Sequence, residues 1–272
     1  MASRYCLALV AGLFLLGGQA VAEIMYTGPM VGPGGMTGWM GDDVWYAAVS
    51  ESNDEGAGGT DAELFGAPSA IAGNSIDFNP TDFGASAESS GSFVSEIVDS
   101  QLSFMVIAKP GKVIDNLQFS EAGDTTLAGD PNSVITSTRV TNEIFIDVVE
   151  VDGAPITPFN VQAAMVFSPS NGDYTLDADG DGTPIFSTDW SGVVDIDFAA
   201  ELASRNIDFV GGVTKINVTL DNTLTATASN GESAFIKKKD FDGLTVTSNI
   251  PEPGSLALLA FASAGVLLSR RV

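Results

Sequence analysis

Hydrophobic residues are arranged in two ways along this chain: in unbroken runs at both ends, and in alternation with polar residues between them. Alternation is the pattern of half-buried strands. Residues 44–49 predict a first strand, 51–60 a polar glycine-rich loop, and 23–41, rich in Gly, Pro and Met, a loose or extended lead-in. Residues 64–87 are weakly patterned, with a short strand around Ile76 and Phe78. From Ser92 onward strand follows strand: 93–98, 102–108, a turn at Lys109-Pro110-Gly111-Lys112, then 113–120 with Val113, Leu117 and Phe119 on one face. Residues 133–138 and 140–151 come next. The second segment carries apolar residues in both phases, as an interior strand covered on both faces would. After a turn at Asp152-Gly153, strands are predicted at 161–167 and 193–198, and one helical turn at 199–203. Residues 213–220 and 223–228, rich in β-branched side chains, predict a hairpin turning at Asp221-Asn222. Residues 234–237 and 244–246 close the series.

Many short strands punctuated by Gly, Asn and Asp turns, without a long helical period, predict an all-β fold: a β-sandwich of jelly-roll type. It should form one domain over residues 23–249, irregular until about residue 90. An N-terminal signal helix (1–22) and a C-terminal transmembrane or sorting helix (250–272) flank it.

The two ends carry export chemistry. Arg4 precedes an apolar run from Cys6 to Leu16, Gly17-Gly18 break it, and Ala20-Val21-Ala22 offers small side chains where a signal peptidase needs them. This is a cleavable secretory signal, with Glu23 as the new N-terminus. At the other end Pro251-Glu252-Pro253 is followed by an apolar stretch from Leu256 to Leu268 and by Arg270-Arg271. The prolines stop any strand or helix from running through. The apolar stretch partitions into a bilayer, for which it is short, and the arginines stay on the cytoplasmic side. This tail resembles the PEP-CTERM sorting signal of exported bacterial envelope proteins. The resemblance implies that an integral-membrane exosortase recognises Pro251, Glu252 and Pro253 and removes the tail. It also implies a cell-envelope protein, anchored in the membrane before processing and at the surface or in the extracellular matrix afterwards.

Charge narrows the partners. Between the two signals, eight basic residues stand against 34 acidic ones, a net charge near −26. Such a domain repels nucleic acid and suits cations, or an anionic polysaccharide matrix bridged by divalent ions. The single cysteine, Cys6, leaves with the signal, and there is no histidine. Ser-His and Cys-His nucleophilic catalysis and ordinary zinc sites are therefore excluded. A paired-carboxylate glycan hydrolase or lyase survives only in principle, and a non-enzymatic structural or surface role is the expectation. A carbohydrate-binding module is the alternative.

One internal motif suggests a ligand. Asp177, Asp179 and Asp181, alternating in a glycine-containing turn, can converge on a calcium ion. They resemble the first half of an EF-hand or dockerin-type loop, but Pro184 and Thr188 break that pattern further on. An acidic, solvated turn is the competing reading. The cluster Lys237-Lys238-Lys239 reads as an edge or turn that discourages strand aggregation. Trp39, Trp45, Tyr46 and Trp190 read as core or core rim rather than as a sugar-stacking platform.

Overall fold

A computed structural model describes residues 23–250, apart from 54, 57–59, 134, 177–181 and 240–242. Its strands in chain order are β1 (Ile24–Met25), β2 (Met30–Val31), β3 (Thr37–Met40), β4 (Val44–Ser52), β5 (Ala70–Ala72), β6 (Ser75–Phe78), β7 (Gly84–Glu88), β8 (Val94–Ala108) and β9 (Asn116–Ala128). They continue as β10 (Ser137–Val151), β11 (Ala154–Ala164), β12 (Val166–Ser168), β13 (Asp173–Thr175), β14 (Ile185–Asp197), β15 (Val213–Ala228), β16 (Ser233–Lys238) and β17 (Leu244–Asn249). One short helix, α1 (Phe198–Ser204), is capped by Asp197, whose side chain accepts from Ala200 N.

The strands form two antiparallel sheets. The first runs β11-β10-β15-β8-β4-β3-β2, with β1 added to β4 and β13 to β10. The second runs β12-β14-β9-β17-β6-β5. Here β9 pairs along its whole length with β14 on one edge, while β16 and β17 share its other edge end to end. β16 also carries β7.

Alternation explains the packing. On β9 every second residue is buried, from Leu117 and Phe119 to Leu127, and on β15 Ile216, Val218, Leu220, Leu224 and Ala226 point the same way. The inward faces of both sheets meet in one apolar cluster, which makes the fold a β-sandwich. The outward faces carry Ser and Thr in cross-strand pairs, such as Ser103 with Thr219 at 3.2 Å and Ser75 with Thr247 at 2.8 Å.

Several elements depart from the sequence expectation. The stretch before residue 90 supplies β1 to β7: β4 and β6 coincide with the strands expected at 44–49 and around Ile76 and Phe78, and the other five were expected as irregular chain. β8 joins two predicted strands in one. β10 is covered on one face only: Val140, Ile144, Ile146 and Val148 are buried, whereas Arg139, Glu143 and Asp147 are exposed and Phe145 and Val149 half-exposed. The predicted hairpin at Asp221-Asn222 does not exist. β15 passes straight through, because Asn222 is turned inward and hydrogen-bonded in the core while Asp221 faces out. The helices expected at the two ends fall outside the described residues. Among the described residues no helix is long and apolar enough to cross a membrane.

Candidate functional site

The residues assigned to export and sorting bracket the sandwich. Ala20, Ala22, Pro251, Glu252, Pro253, Arg270 and Arg271 lie outside the described residues, as do Asp177, Asp179 and Asp181. Glu23 is described. Its carboxylate accepts from Ser50 Oγ, and the next residues join the first sheet, with Ile24 opposite Glu51 and Met25 opposite Ser50. At the other end β17 lies between β9 and β6, Asp115 N donates to Asn249 O at 2.9 Å, and Ile250 packs on the core. The sorting tail thus leaves from an interior strand of the second sheet. Among the described residues no group of three or more His, Cys, Asp or Glu is placed to hold a metal. Trp45 and Trp190 are buried and Trp39 is half-buried, so these rings form core and core rim.

The most unusual chemistry lies between the sheets. Glu121 of β9 and Lys238 of β16 are both buried, with Lys238 Nζ 2.8 Å from Glu121 Oε1. Gly123, two residues from Glu121, is the register partner of Lys238, so both side chains share the inward face of the second sheet. From the first sheet Asn142 and Asn222, direct register partners on β10 and β15, point at the same carboxylate. Asn142 Nδ2 donates to Oε1 at 2.8 Å; Asn222 Nδ2 donates to Oε1 at 2.7 Å and Oε2 at 2.8 Å. The ammonium lies over Phe83, Phe65 and Trp190, with 5.1, 5.3 and 5.9 Å to their ring centroids. Desolvation pushes the Lys238 pKa down, and attraction to Glu121 opposes the shift without cancelling it. Among the described residues Lys238 Nζ finds no aligned hydrogen bond, and the carboxamide oxygens of Asn142 and Asn222 find no partner.

This overturns the reading of Lys237-Lys238-Lys239 as an edge. Lys238 is the inward residue of the three, while Lys239 reaches Asp189 at 3.0 Å on the surface. Glu121 and Asn142 were not singled out from the sequence, and Asn222 was read as a turn residue. The signal was phase: each occupies a position where the alternation of its strand demands an apolar residue.

A second buried carboxylate supports the aromatic wall. Glu51 Oε1 accepts from Leu64 N at 3.0 Å, Phe65 N at 2.9 Å and Ser100 Oγ at 2.8 Å. Its Oε2 accepts from Gly66 N at 3.2 Å and Tyr26 Oη at 2.8 Å. The loop carrying Phe65 is thereby tied to β4, and the Phe65 ring meets Phe83 edge to face at 5.0 Å.

At one end of the sandwich a groove of about 750 Å³ opens between the β8–β9 turn, the β10–β11 turn and the segment before β15. Lys109, Lys112 and Lys215 line it, with Glu150 and Asp152. Backbone N–H groups of Val210, Gly212 and Gly211 hold the Asp152 carboxyl below its ordinary range. The Asp43 carboxyl is held down as well, by the Lys112 ammonium 2.8 Å away.

No curated protein matches the chain. Solved structures overlap it slightly. The CBM22-1–GH10 modules of Clostridium thermocellum endo-1,4-β-D-xylanase 10B, complexed with xylohexaose, share 10% identity over 62% of this chain and 26% of that one, with a TM-score of 0.18. This chain therefore spans about a quarter of that protein. A loop-swap mutant of Necallimastix patriciarum Xyn11A shares 9% identity over 84% of this chain and 100% of that one, with a TM-score of 0.19. Overlaps this slight do not establish a shared fold. Residues 249–271, beginning with the last residue of β17, match the family model described as the PEP-CTERM protein-sorting motif. This chain is therefore an exported protein that ends in a PEP-CTERM sorting tail of the exosortase-substrate type.

Proposed function

We propose that the protein is a non-enzymatic component of the cell envelope or extracellular matrix: one sandwich domain, residues 23–249, delivered by its two ends. Signal peptidase removes residues 1–22. The apolar tail holds the domain at the membrane until an exosortase-type enzyme cuts at the Pro251-Glu252-Pro253 side of it. The sorting motif starting where β17 ends carries this reading. A jelly-roll arrangement is supported by the way β8, β9 and β10, and again β14, β15 and β16, step from sheet to sheet. Mass spectrometry of both ends of the mature protein tests the route. A start at Glu23 and an end upstream of Arg270 are expected in a strain making exosortase; an intact C-terminus through Val272 there overturns the processing step.

The lysine-lined groove favours a second reading, that of a carbohydrate-binding surface module for acidic polysaccharide, with calcium at Asp177, Asp179 and Asp181 as an accessory ligand. A glycan array probed with and without calcium separates the two, since a purely structural component gives no hit in either condition.

A further inference from the structure

The core cluster holds a nucleophile, an electrophile and a proton carrier around one carboxylate. Lys238 Nζ supplies the amine, the Asn222 carboxamide carbon is an acyl centre, and Glu121 touches both groups through the same oxygen, Oε1, at 2.8 and 2.7 Å. All three are shielded from water, with Asn222 and Lys238 fully buried and Glu121 2% exposed. A buried ion pair of this kind is poorly compensated, because desolvation of both charges offsets their attraction. The aromatic wall of Phe65, Phe83 and Trp190 pins the lysine, so the amine cannot escape to solvent. The unpartnered oxygen of Asn222 leaves its acyl group free to be polarised.

We propose that Lys238 and Asn222 form an intramolecular isopeptide bond across the two sheets, with Glu121 as the proton carrier. In the dry core the ammonium proton passes to the Glu121 carboxylate, leaving a neutral amine and a neutral acid. The lowered pKa of Lys238 is in accord with that transfer. A half-turn of the Asn222 carboxamide brings Oδ1 onto the protonated carboxyl. The Nζ lone pair then attacks Cγ while Glu121 gives its proton to Oδ1. In the collapse of that tetrahedral centre Glu121 relays one of the two Nζ protons to Nδ2, the Cγ–Nδ2 bond breaks and ammonia leaves, and Oδ1 returns its proton to Glu121 as the C=O re-forms. An amine and a primary amide become a secondary amide and ammonia. No oxidant or cofactor is consumed, and Glu121 ends as it began the attack, protonated. The product removes both buried charges and leaves a neutral carboxyl beside a neutral amide. Asn222 rather than Asn142 is the acceptor because its amide nitrogen contacts both carboxylate oxygens, whereas Asn142 contacts one.

The link would staple β15 in the first sheet to β16 in the second. Cysteine is absent after residue 6, so this domain has no disulfide to serve that purpose.

The test is tandem mass spectrometry of a protease digest of the purified full chain. A branched peptide joining Lys238 to Asn222, lighter by one ammonia than its two linear parts, is expected. Glu121→Gln should restore the full mass and both linear peptides, with folding followed by a cooperative thermal melt. A folded wild-type chain yielding linear peptides with unmodified Lys238 and Asn222 overturns the proposal, and this result does not depend on whether any variant folds. A branch at Asn142 overturns the assignment of Asn222, and a fully linked Glu121→Gln protein overturns the role of Glu121.

Discussion

Gly123→Ala is the sharpest test of the core packing. A Cβ at this position would lie 2.0 Å from Trp190 Cζ2, 2.1 Å from Cε2 and 2.3 Å from the backbone oxygen of Lys237. Gly123 is the register partner of Trp190 on β14, and the indole lies over the space a side chain would fill. Real contacts of a Cβ begin beyond 3 Å, so the ring and β16 must both give way. Trp190 is 2% exposed and packs edge to face on Phe167 at 5.7 Å, which leaves it nowhere to go. Overpacking of this kind costs about 1–3 kcal/mol, and a strained aromatic pair forfeits roughly 0.5–1.5 kcal/mol. Against this, alanine restricts the unfolded chain and returns about 0.4–1 kcal/mol. The steric term wins, and a net loss of about 2–3 kcal/mol is expected. For a domain of this size that corresponds to a fall in Tm of roughly 5–10 °C. Urea unfolding followed by tryptophan fluorescence measures it. In a Trp190→Phe background part of the clash disappears, so the same substitution should be milder by about 1 kcal/mol. Stability of Gly123→Ala within about 0.5 kcal/mol of wild type would refute the packing argument.

Three further outcomes follow from local geometry. Glu51→Ala strands the buried N–H groups of Leu64 and Phe65 and should lower stability by at least ~3 kcal/mol in the same urea assay. Ala48 sits at φ 50° in a bulge where Ala47 faces Met105 and Ser50 faces Ser103; its side chain is exposed, so Ala48→Gly should raise stability by up to about 1 kcal/mol. Asp221 stands directly opposite Glu143, and desolvation, with Asp99 and Glu143 nearby, raises its pKa. A carboxyl raised on folding is destabilising once ionised, and that penalty fades as pH falls through the folded pKa toward the unfolded value near ~4. Asp221→Asn should therefore gain a few tenths of a kcal/mol at pH 7 and lose that advantage below about pH 4; a gain that persists in acid would contradict the electrostatic cause.

Much of the strand pattern was legible because period-two alternation is a local property. Leu117, Phe119, Ile216 and Val218 declare an inward face by themselves. What misled was the assumption that a polar residue in phase with them marks an end. Asp221-Asn222 has turn chemistry, and nothing nearby in the sequence announces that a carboxylate from β9 waits for Asn222 inside. Lys238 sits between two other lysines, and only the pairing of β16 with β9 separates it from them. Of the early strands, β4 and β6 were legible, and others were missed for a related reason. β5 (Ala-Ile-Ala) is too short, and β7 (Gly-Ala-Ser-Ala-Glu) has too little apolar contrast, to show a period, and their neighbours β6 and β16 supply the partner edges. The sorting motif is a linear signal read by another protein, so it needed no fold to be seen.

The position of β17 has a mechanical consequence. A pull on the tail would reach the domain through Asn249, along the axis of a strand bonded to β9 on one side and β6 on the other. Such a load falls on both ladders in shear, so the bonds must fail together rather than in sequence. On the N-terminal side of the domain β1 is a two-residue pairing with β4 that a small force would peel away. A load would therefore be borne better from the C-terminal side of the domain than from its N-terminal side.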